Sequence, residues 1–256
     1  MNLTMPELQE KAINIFMSVK EVCEKNDITY YCTTGTVLGT VRHKGQIPWD
    51  YDIDLAIPEN QIERFIECCK KDLPKEYYVD YFTVNPKGYR QFPRIALTGF
   101  GSDTLHVDIF RLIGLPDSRE EQIELMNRAR KATYGNKYMR RTFIQLLTHG
   151  HPVFAFNRIF NRDRYLKIFD SCCKAYEYDE ATFVMNPSGR YKEKNIFEKR
   201  IFGEGVYMEY EDVEVRIPSE FDFYLKQYYG DYMQFPPQEI IDKAMNKIYE
   251  IRENRK

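Results

Sequence analysis

The stretch from Gly35 to Ile57, GTVLGTVRHKGQIPWDYDIDLAI, decides how the rest of the chain is read. It joins a glycine-flanked turn to a basic patch ending at Lys44, and then to three alternating aspartates, Asp50, Asp52 and Asp54. From Asp52 to Ile57 acidic and apolar residues alternate, the pattern of a strand with one polar face. Side chains two apart on a strand share a face, so Asp52 and Asp54 point one way while Ile53 and Leu55 enter the core. Two carboxylates at that spacing repel and raise each other's proton affinity. The arrangement is tolerated on a solvated edge strand carrying gatekeeper charges. It is equally tolerated where a divalent cation sits between the oxygens. Hard oxygen ligands of this kind suit magnesium, which prefers to share its shell with substrate phosphates.

Leu105-His106-Val107-Asp108-Ile109-Phe110 reads as a second strand, apolar on both sides of one aspartate. A lone carboxylate in such a run needs a partner, and a metal shared with Asp52 and Asp54 supplies one. Upstream, Ile28 to Thr33 is β-branched and aromatic, hence a strand, and it ends at Thr34-Gly35. At Gly35-Thr36 backbone N–H groups can approach a phosphate with no side chain in the way. A short helix or turn follows from Thr36 to Arg42. Arg42 offers a bidentate grip on phosphate and Lys44 a point charge. Asp50 is read as the partner that orients Arg42, with a turn residue as the alternative. Glycine turn, short helix, paired aspartates on a strand and a third aspartate on a later strand form the layout of the nucleotidyltransferase fold.

Working outward, Thr4-Met5-Pro6-Glu7 is a capping box, and Leu8, Ala12, Ile15, Phe16, Val19, Val22 and Cys23 recur at helical spacing. A first helix therefore runs to about Lys25. Pro58 opens another, with Ile62, Phe65, Ile66 and Cys69 on one face. Tyr77 to Val84 and Arg94 to Thr98 are further strands. From Asp117 to Phe169 the periodicity is mainly helical, broken at His149-Gly150-His151-Pro152. Strand-like stretches return at Thr182 to Met185 and between Val206 and Ile217, and Ser219 to Tyr229 and Glu239 to Arg252 close the chain as helices. A boundary is placed at Leu115-Pro116. Trp49, the one tryptophan, is either a stacking platform or a rigid plug that aims the acidic strand. Lys192 and Lys194 are candidate phosphate contacts. The apolar run from Pro152 to Phe160 is read as a buried helix, with a lipid-facing patch as the alternative.

Bulk properties exclude several classes. The 256 residues carry a formal net charge of −2, which speaks against a nucleic-acid coat protein. No run reaches the roughly 20 apolar residues of a membrane span, and the N-terminus lacks a signal-peptide layout. The six cysteines include the adjacent pairs Cys68-Cys69 and Cys172-Cys173 and no CxxC, which points to a reduced, cytoplasmic protein.

The run Gly35-Thr36-x-Leu38-Gly39-x-x-Arg42-His43-Lys44-Gly45-x-Ile47-Pro48-Trp49-Asp50-x-Asp52-Ile53-Asp54 resembles the core motif of the LicD family. Those proteins are phosphocholine transferases of bacterial surface glycans, related to the fukutin group of sugar-phosphate transferases. Val107 to Phe110 with Gly114-Leu115-Pro116 is similar to the family's second motif. Ile217-Pro218, Tyr224-Leu225, Tyr229 to Met233 and Pro236-Pro237 are similar to its C-terminal motif. The family usually carries an aspartate where Tyr51 stands and an acidic residue near Ile113; both departures bear on substrate choice.

The resemblance implies an α+β fold, with a nucleotidyltransferase-like mixed sheet flanked by helices over residues 1–115. A mostly helical part over 116–256 would bind the acceptor and end in a closing strand–helix segment. It implies magnesium- or manganese-dependent transfer of phosphocholine, or a related substituted phosphate, from a CDP-alcohol, with CMP released. The acceptor is a hydroxyl of a surface glycan, lipopolysaccharide or teichoic acid, or of its lipid-linked precursor. Asp52, Asp54 and Asp108 would be catalytic metal ligands, Asp108 also taking the hydroxyl proton. Gly35, Thr36 and Arg42 would hold the phosphates, and Glu211 would contact the choline headgroup. The implied location is the cytoplasm, at the inner face of the membrane. Two rivals stay open: a true nucleotidyltransferase that releases pyrophosphate, and an inactive binding module that keeps the fold.

Overall fold

Helix α1, Met5–Lys25, starts at the expected capping box: Thr4 Oγ1 accepts from Glu7 N at 3.4 Å, and the Glu7 carboxylate accepts from Thr4 N at 2.6 Å. The computed structural model describes residues 3–253 other than 86, 87, 140, 142, 152, 154, 155, 157–160 and 162. The seven apolar positions of α1 singled out by periodicity are all buried. They pack on a mixed sheet whose strands are β1, Tyr31–Cys32; β2, Ile53–Pro58; β3, Tyr77–Asp80; β4, Arg94–Leu97; and β5, His106–Leu115. The spatial order is β1-β2-β5-β4-β3, with β2 and β5 parallel and the remaining pairs antiparallel. Helix α2, Thr34–Leu38, follows β1 and continues into a π-helical turn, Gly39–His43; α3, Ile62–Asp72, follows β2 after one 3₁₀ turn. The architecture is α+β, a mixed sheet flanked by helices.

Three expectations about element length change. The strand expected over Ile28 to Thr33 pairs only at Tyr31–Cys32. The strand expected over Tyr77 to Val84 stops at Asp80, because Tyr81 turns into the core at 2% exposure. In the opposite sense, β5 runs past Phe110 to Leu115. Arg111 does not end it, because its charge is fully paired inside the protein.

The far end of β5 joins the two halves of the chain. Ile113–Leu115 pair antiparallel with β6, Phe183–Met185, which pairs in turn with β7, Ile196–Glu198. The sheet therefore continues across the Leu115-Pro116 division. Gly114 permits this closeness: a Cβ there would stand 2.8 Å from the Glu177 carbonyl oxygen. Helices α4, Arg119–Met139, and α6, Arg164–Cys173, enclose a second apolar cluster over that end; α5 is Phe143–Thr148. Val206 to Ile217 forms a hairpin, β8 Val206–Tyr210 and β9 Val213–Ile217, and helices α7, Phe221–Tyr229, and α8, Gln238–Glu253, follow. Of the apolar Pro152–Phe160 run only 153 and 156 are described, so its reading as a helix or lipid-facing patch lies outside the described residues. Among the described residues no helix is long and apolar enough to cross a membrane. All six cysteines are free thiols.

Arg111 ties these parts together. At 1% exposure it donates Nε to Glu59 Oε2 at 2.6 Å and Nη2 to Glu59 Oε1 at 2.5 Å. Nη2 also reaches Asp170 Oδ1 on α6 at 2.8 Å, and Nη1 reaches Tyr81 Oη at 3.1 Å. Removing one partner of such a buried pair strands the other charge. Arg111→Met is therefore expected to lose about 3–5 kcal/mol in urea unfolding. Arg111→Met combined with Glu59→Gln should recover a large part of that loss. A single variant as stable as the wild type would show that these ion pairs do not hold the helical part on the sheet.

Candidate active site

The parallel register of β2 and β5 sets Asp54 directly opposite Asp108. Ile53, Leu55, Val107 and Ile109 are each buried to 1% exposure or less, so the aspartates between them share the opposite face of the sheet. Asp52 lies just before the strand and is exposed. With Asp50 these carboxylates border a pocket of about 230 Å³. Thr34 and Gly35 form one wall, Phe110 another, and Asn186, Ser188, Gly189, Arg190, Tyr191 and Tyr229 the side contributed by the second half of the chain.

Each carboxylate is held differently. The Asp54 backbone N donates to Thr36 Oγ1 at 2.9 Å, and Thr34 Oγ1 donates to Asp54 Oδ2 at 2.9 Å. Thr34 adopts left-handed φ of 46°, and its N–H donates to the buried Tyr224 hydroxyl at 3.0 Å. A β-branched residue in that conformation is uncommon, and here both its side chain and its backbone are committed. Burial, and then the nearby Asp108 and Asp52, push the Asp54 carboxyl well above the usual carboxylate range. Asp108 is gripped by both arms of Arg94: Nε bonds Oδ1, and Nη2 donates to Oδ2 at 3.1 Å. His106 Nε2 stands 3.6 Å from Asp108 Oδ1. Burial pulls that imidazole down to about 4, so it is neutral at neutral pH.

The donor set bears on the expected metal. Among the described residues no three His, Cys, Asp or Glu side chains form a ready-made cage for an ion. Magnesium seldom uses an all-protein cage and is usually held by one or two carboxylates together with substrate phosphates. Asp52 and Asp54 suit that mode, since a cation would discharge the repulsion that raises the proton affinity of Asp54. Asp108 contributes a neighbouring carboxylate whose orientation Arg94 already fixes.

Several expected contacts lie elsewhere. Arg42 donates Nη1 to the carbonyls of Tyr232 at 3.0 Å and Gln234 at 3.1 Å, and its guanidinium sits 4.9 Å from the Phe235 ring centroid. It anchors the segment after α7 and is absent from the pocket wall. Asp50 Oδ1 accepts from Asp52 N at 3.2 Å and shapes the turn into β2. Trp49 packs against His43 and Phe235 in the same aromatic group. Glu211 is not positioned to meet a headgroup in the pocket: its carboxylate accepts from Gln46 N at 2.8 Å. A Cβ on Gly45 would meet Glu211 Oε1 at 2.1 Å, which explains the glycine. The Lys44 carbonyl accepts from Glu211 N at 2.9 Å, and the Lys44 side chain is exposed. Lys192, with φ of 52°, accepts at its carbonyl from Asn195 Nδ2 and lies outside the pocket lining, whereas Arg190, two residues earlier, lies within it. Thr36 serves the Asp54 backbone from a buried position, and Gly35 lines the pocket, where a Cβ would stand 3.7 Å from Asp50 Oδ2. His149 and His151 are likewise outside it.

Pocket residues and supports to which the sequence reading gave no site role are Arg94, Phe110, Arg190, Tyr191 and Tyr229. Arg94 carried a signal: an arginine opening the apolar run Ile95-Ala96-Leu97 demands a counter-charge, and the antiparallel register supplies Asp108.

With this geometry in view, comparison with known proteins is direct. Over 93% of its length the chain is 25% identical to the lipopolysaccharide cholinephosphotransferase LicD of Haemophilus influenzae, covering 94% of that protein. Shorter matches, 42% and 43% identical, join 52 and 51 residues of the chain to uncharacterised proteins of Rickettsia typhi and Rickettsia prowazekii, covering 17% and 19% of those proteins. Residues 27–141, which carry all three aspartates of the site, match the family model described as LicD/FKTN/FKRP, nucleotidyltransferase domain.

Proposed function

We propose that the protein transfers a substituted phosphate, phosphocholine from CDP-choline, to a glycan hydroxyl and releases CMP. The observation that carries this reading is the convergence of Asp52, Asp54 and Asp108 on one pocket beside the Thr34-Gly35 turn. The full-length similarity to a lipopolysaccharide cholinephosphotransferase supports the class of group and acceptor. Tyr191 and Tyr229, with ring centroids 5.7 Å apart, and Phe110 offer aromatic faces near carboxylates, a setting that suits a quaternary ammonium. These residues replace Glu211 as the proposed headgroup contacts.

Phosphoryl transfer asks for positioning and charge neutralisation more than covalent chemistry. Asp52 and Asp54 would hold magnesium on the donor diphosphate, and the ion would neutralise the charge that gathers on the departing phosphate. Gly35 leaves room for the diphosphate beside the carboxylates. Arg190 faces the same space and can pair with a phosphate oxygen. Asp108, fixed by Arg94, takes the proton of the acceptor hydroxyl as its oxygen bonds to the choline-bearing phosphorus. The bond from that phosphorus to the bridging oxygen breaks, and the electron pair leaves with CMP. The deciding experiment is a donor screen with CDP-choline, CDP-ethanolamine, CDP-glycerol and CDP-ribitol, scored for CMP. Pyrophosphate as the product would replace this reading with nucleotidyl transfer.

Asp54→Asn removes a repelling charge, and the amide oxygen can still accept from Thr34. The variant is therefore expected to be at least as heat-stable as the wild type without metal. It should lose both CMP release and the rise in Tm that magnesium gives the wild type. An unchanged magnesium response would remove Asp54 from the metal site. Asp108→Asn should leave magnesium-dependent CDP-choline binding near normal in calorimetry while lowering single-turnover CMP release by roughly 10²–10⁴, the range for a lost general base. Because the change removes one of the carboxylates that pair with Arg94, leaving Asp103, the double variant Asp108→Asn/Arg94→Gln checks that the loss is not a folding defect. Equal falls in binding and rate would make Asp108 a binding ligand and not the base.

A further inference from the structure

A second cavity, of about 530 Å³, lies between α4 and the turn at 187–190. It shares Ser188, Gly189 and Arg190 with the aspartate pocket, so one turn of chain forms a wall of both. Its charge is the reverse of its neighbour's. Arg130, Lys131, Lys137 and Arg190 line it, and among the described residues no carboxylate does. Helical spacing explains the clustering: on α4, Asn127, Arg130, Lys131, Tyr134 and Lys137 form one stripe, while Leu125, Met126, Ala129, Ala132 and Met139 face the core. None of the four cations has an ion-pair partner among the described residues, whereas Arg90, Arg94, Arg111, Arg119, Lys174 and Arg200 are all paired. Four like charges around one hollow repel each other, and an anion seated among them relieves that repulsion. Tyr134, 58% exposed on the same stripe, adds a flat face beside the cations.

We infer that this cavity binds the glycan acceptor through a phosphate group that the acceptor carries, and so delivers its hydroxyl past Arg190 to Asp108. The inference rests on the reading of the aspartate pocket as the donor site. A phosphate here needs no metal, because the cavity brings only positive charge. It is distinguished from the donor diphosphate by that metal independence.

The test uses the full chain, with glucose 6-phosphate as probe and glucose as its uncharged control. Binding is followed by calorimetry without magnesium. Glucose 6-phosphate should bind and glucose should not. Lys131→Ala/Lys137→Ala should weaken glucose 6-phosphate binding at least about tenfold, the effect of losing charge-assisted contacts. Both lysines are exposed, so the fold should be kept, which circular dichroism and Tm would verify. Magnesium-dependent CDP-choline binding should not change. Glucose 6-phosphate binding no better than glucose would overturn the proposal. So would a double variant that loses CDP-choline in the same proportion, because the cavity would then belong to the donor. If the wild type ignores CDP-choline yet binds glucose 6-phosphate in a lysine-dependent manner, the anion site stands and the donor reading falls.

Discussion

Two carboxylates stand opposite each other on neighbouring parallel strands, and much of this structure answers that one constraint. Asp54 and Asp108 share a register on β2 and β5, and the alternate residues of both strands are sealed in the core, so neither aspartate can turn away. Like charges so placed are costly, and more so where burial removes water. The protein answers asymmetrically. Asp108 receives a full guanidinium from Arg94, whereas Asp54 receives a hydroxyl from Thr34 and a proton affinity raised by burial and by its neighbours. One carboxylate is neutralised from within; the other keeps an electrostatic deficit that faces the pocket. A deficit of that kind is what a bound cation fills.

The turn that serves Asp54 is itself fixed from far along the chain. Thr34 holds its left-handed conformation because the hydroxyl of Tyr224, on α7, accepts from its backbone N–H. Tyr224 is stacked on Phe197 at 4.9 Å and is buried among Phe202 and Tyr228. Arg42, at the end of the π-helical turn, reaches in the other direction to the carbonyls of Tyr232 and Gln234. The amino-terminal motif and helix α7 with the segment after it therefore brace one another. With β5 crossing into β6, and Arg111 linking β5 to Glu59 and Asp170, the pocket is the product of one cooperative packing unit, despite the change in helical content near residue 116.

The sequence reading succeeded where chemistry and secondary structure share a period. Alternation exposed Asp52 and Asp54, and an apolar run interrupted once exposed Asp108, so the strands and their polar face were legible together. The structure sets Arg42, Lys44 and Glu211 outside the lining of the pocket, a placement that the sequence does not signal. A charged residue near a glycine looks alike whether it grips a ligand or a carbonyl, and only the fold reveals that Gly45 is small to make room for Glu211. Arg190, Tyr191 and Tyr229 were illegible for another reason: they enter from a turn and a helix end more than 80 residues beyond Asp108, where no periodicity points at a site. The short strands β6 and β7 place that turn, and three-residue strands leave almost no pattern of their own.

The two hollows on either side of the 188–190 turn also assign themselves by charge. Four carboxylates border the first, against Arg190 in its wall and Arg94 behind Asp108, so a diphosphate entering alone would meet a field of its own sign. It must arrive with cations. Among the described residues the second hollow has cations and no acids, so an anion would enter it unaided, and metal ions have no reason to collect there. In the proposed transfer between two phosphate-bearing molecules, that contrast would keep donor and acceptor from exchanging places although a single turn separates them. The formal net charge of −2 hides this polarity, because the opposing patches nearly cancel in the sum. On the proposed reading, the choice of which anion binds where would reside in the spacing of charge along α4 and β2, and each element follows its own period, close to four residues on the helix and two at the strand.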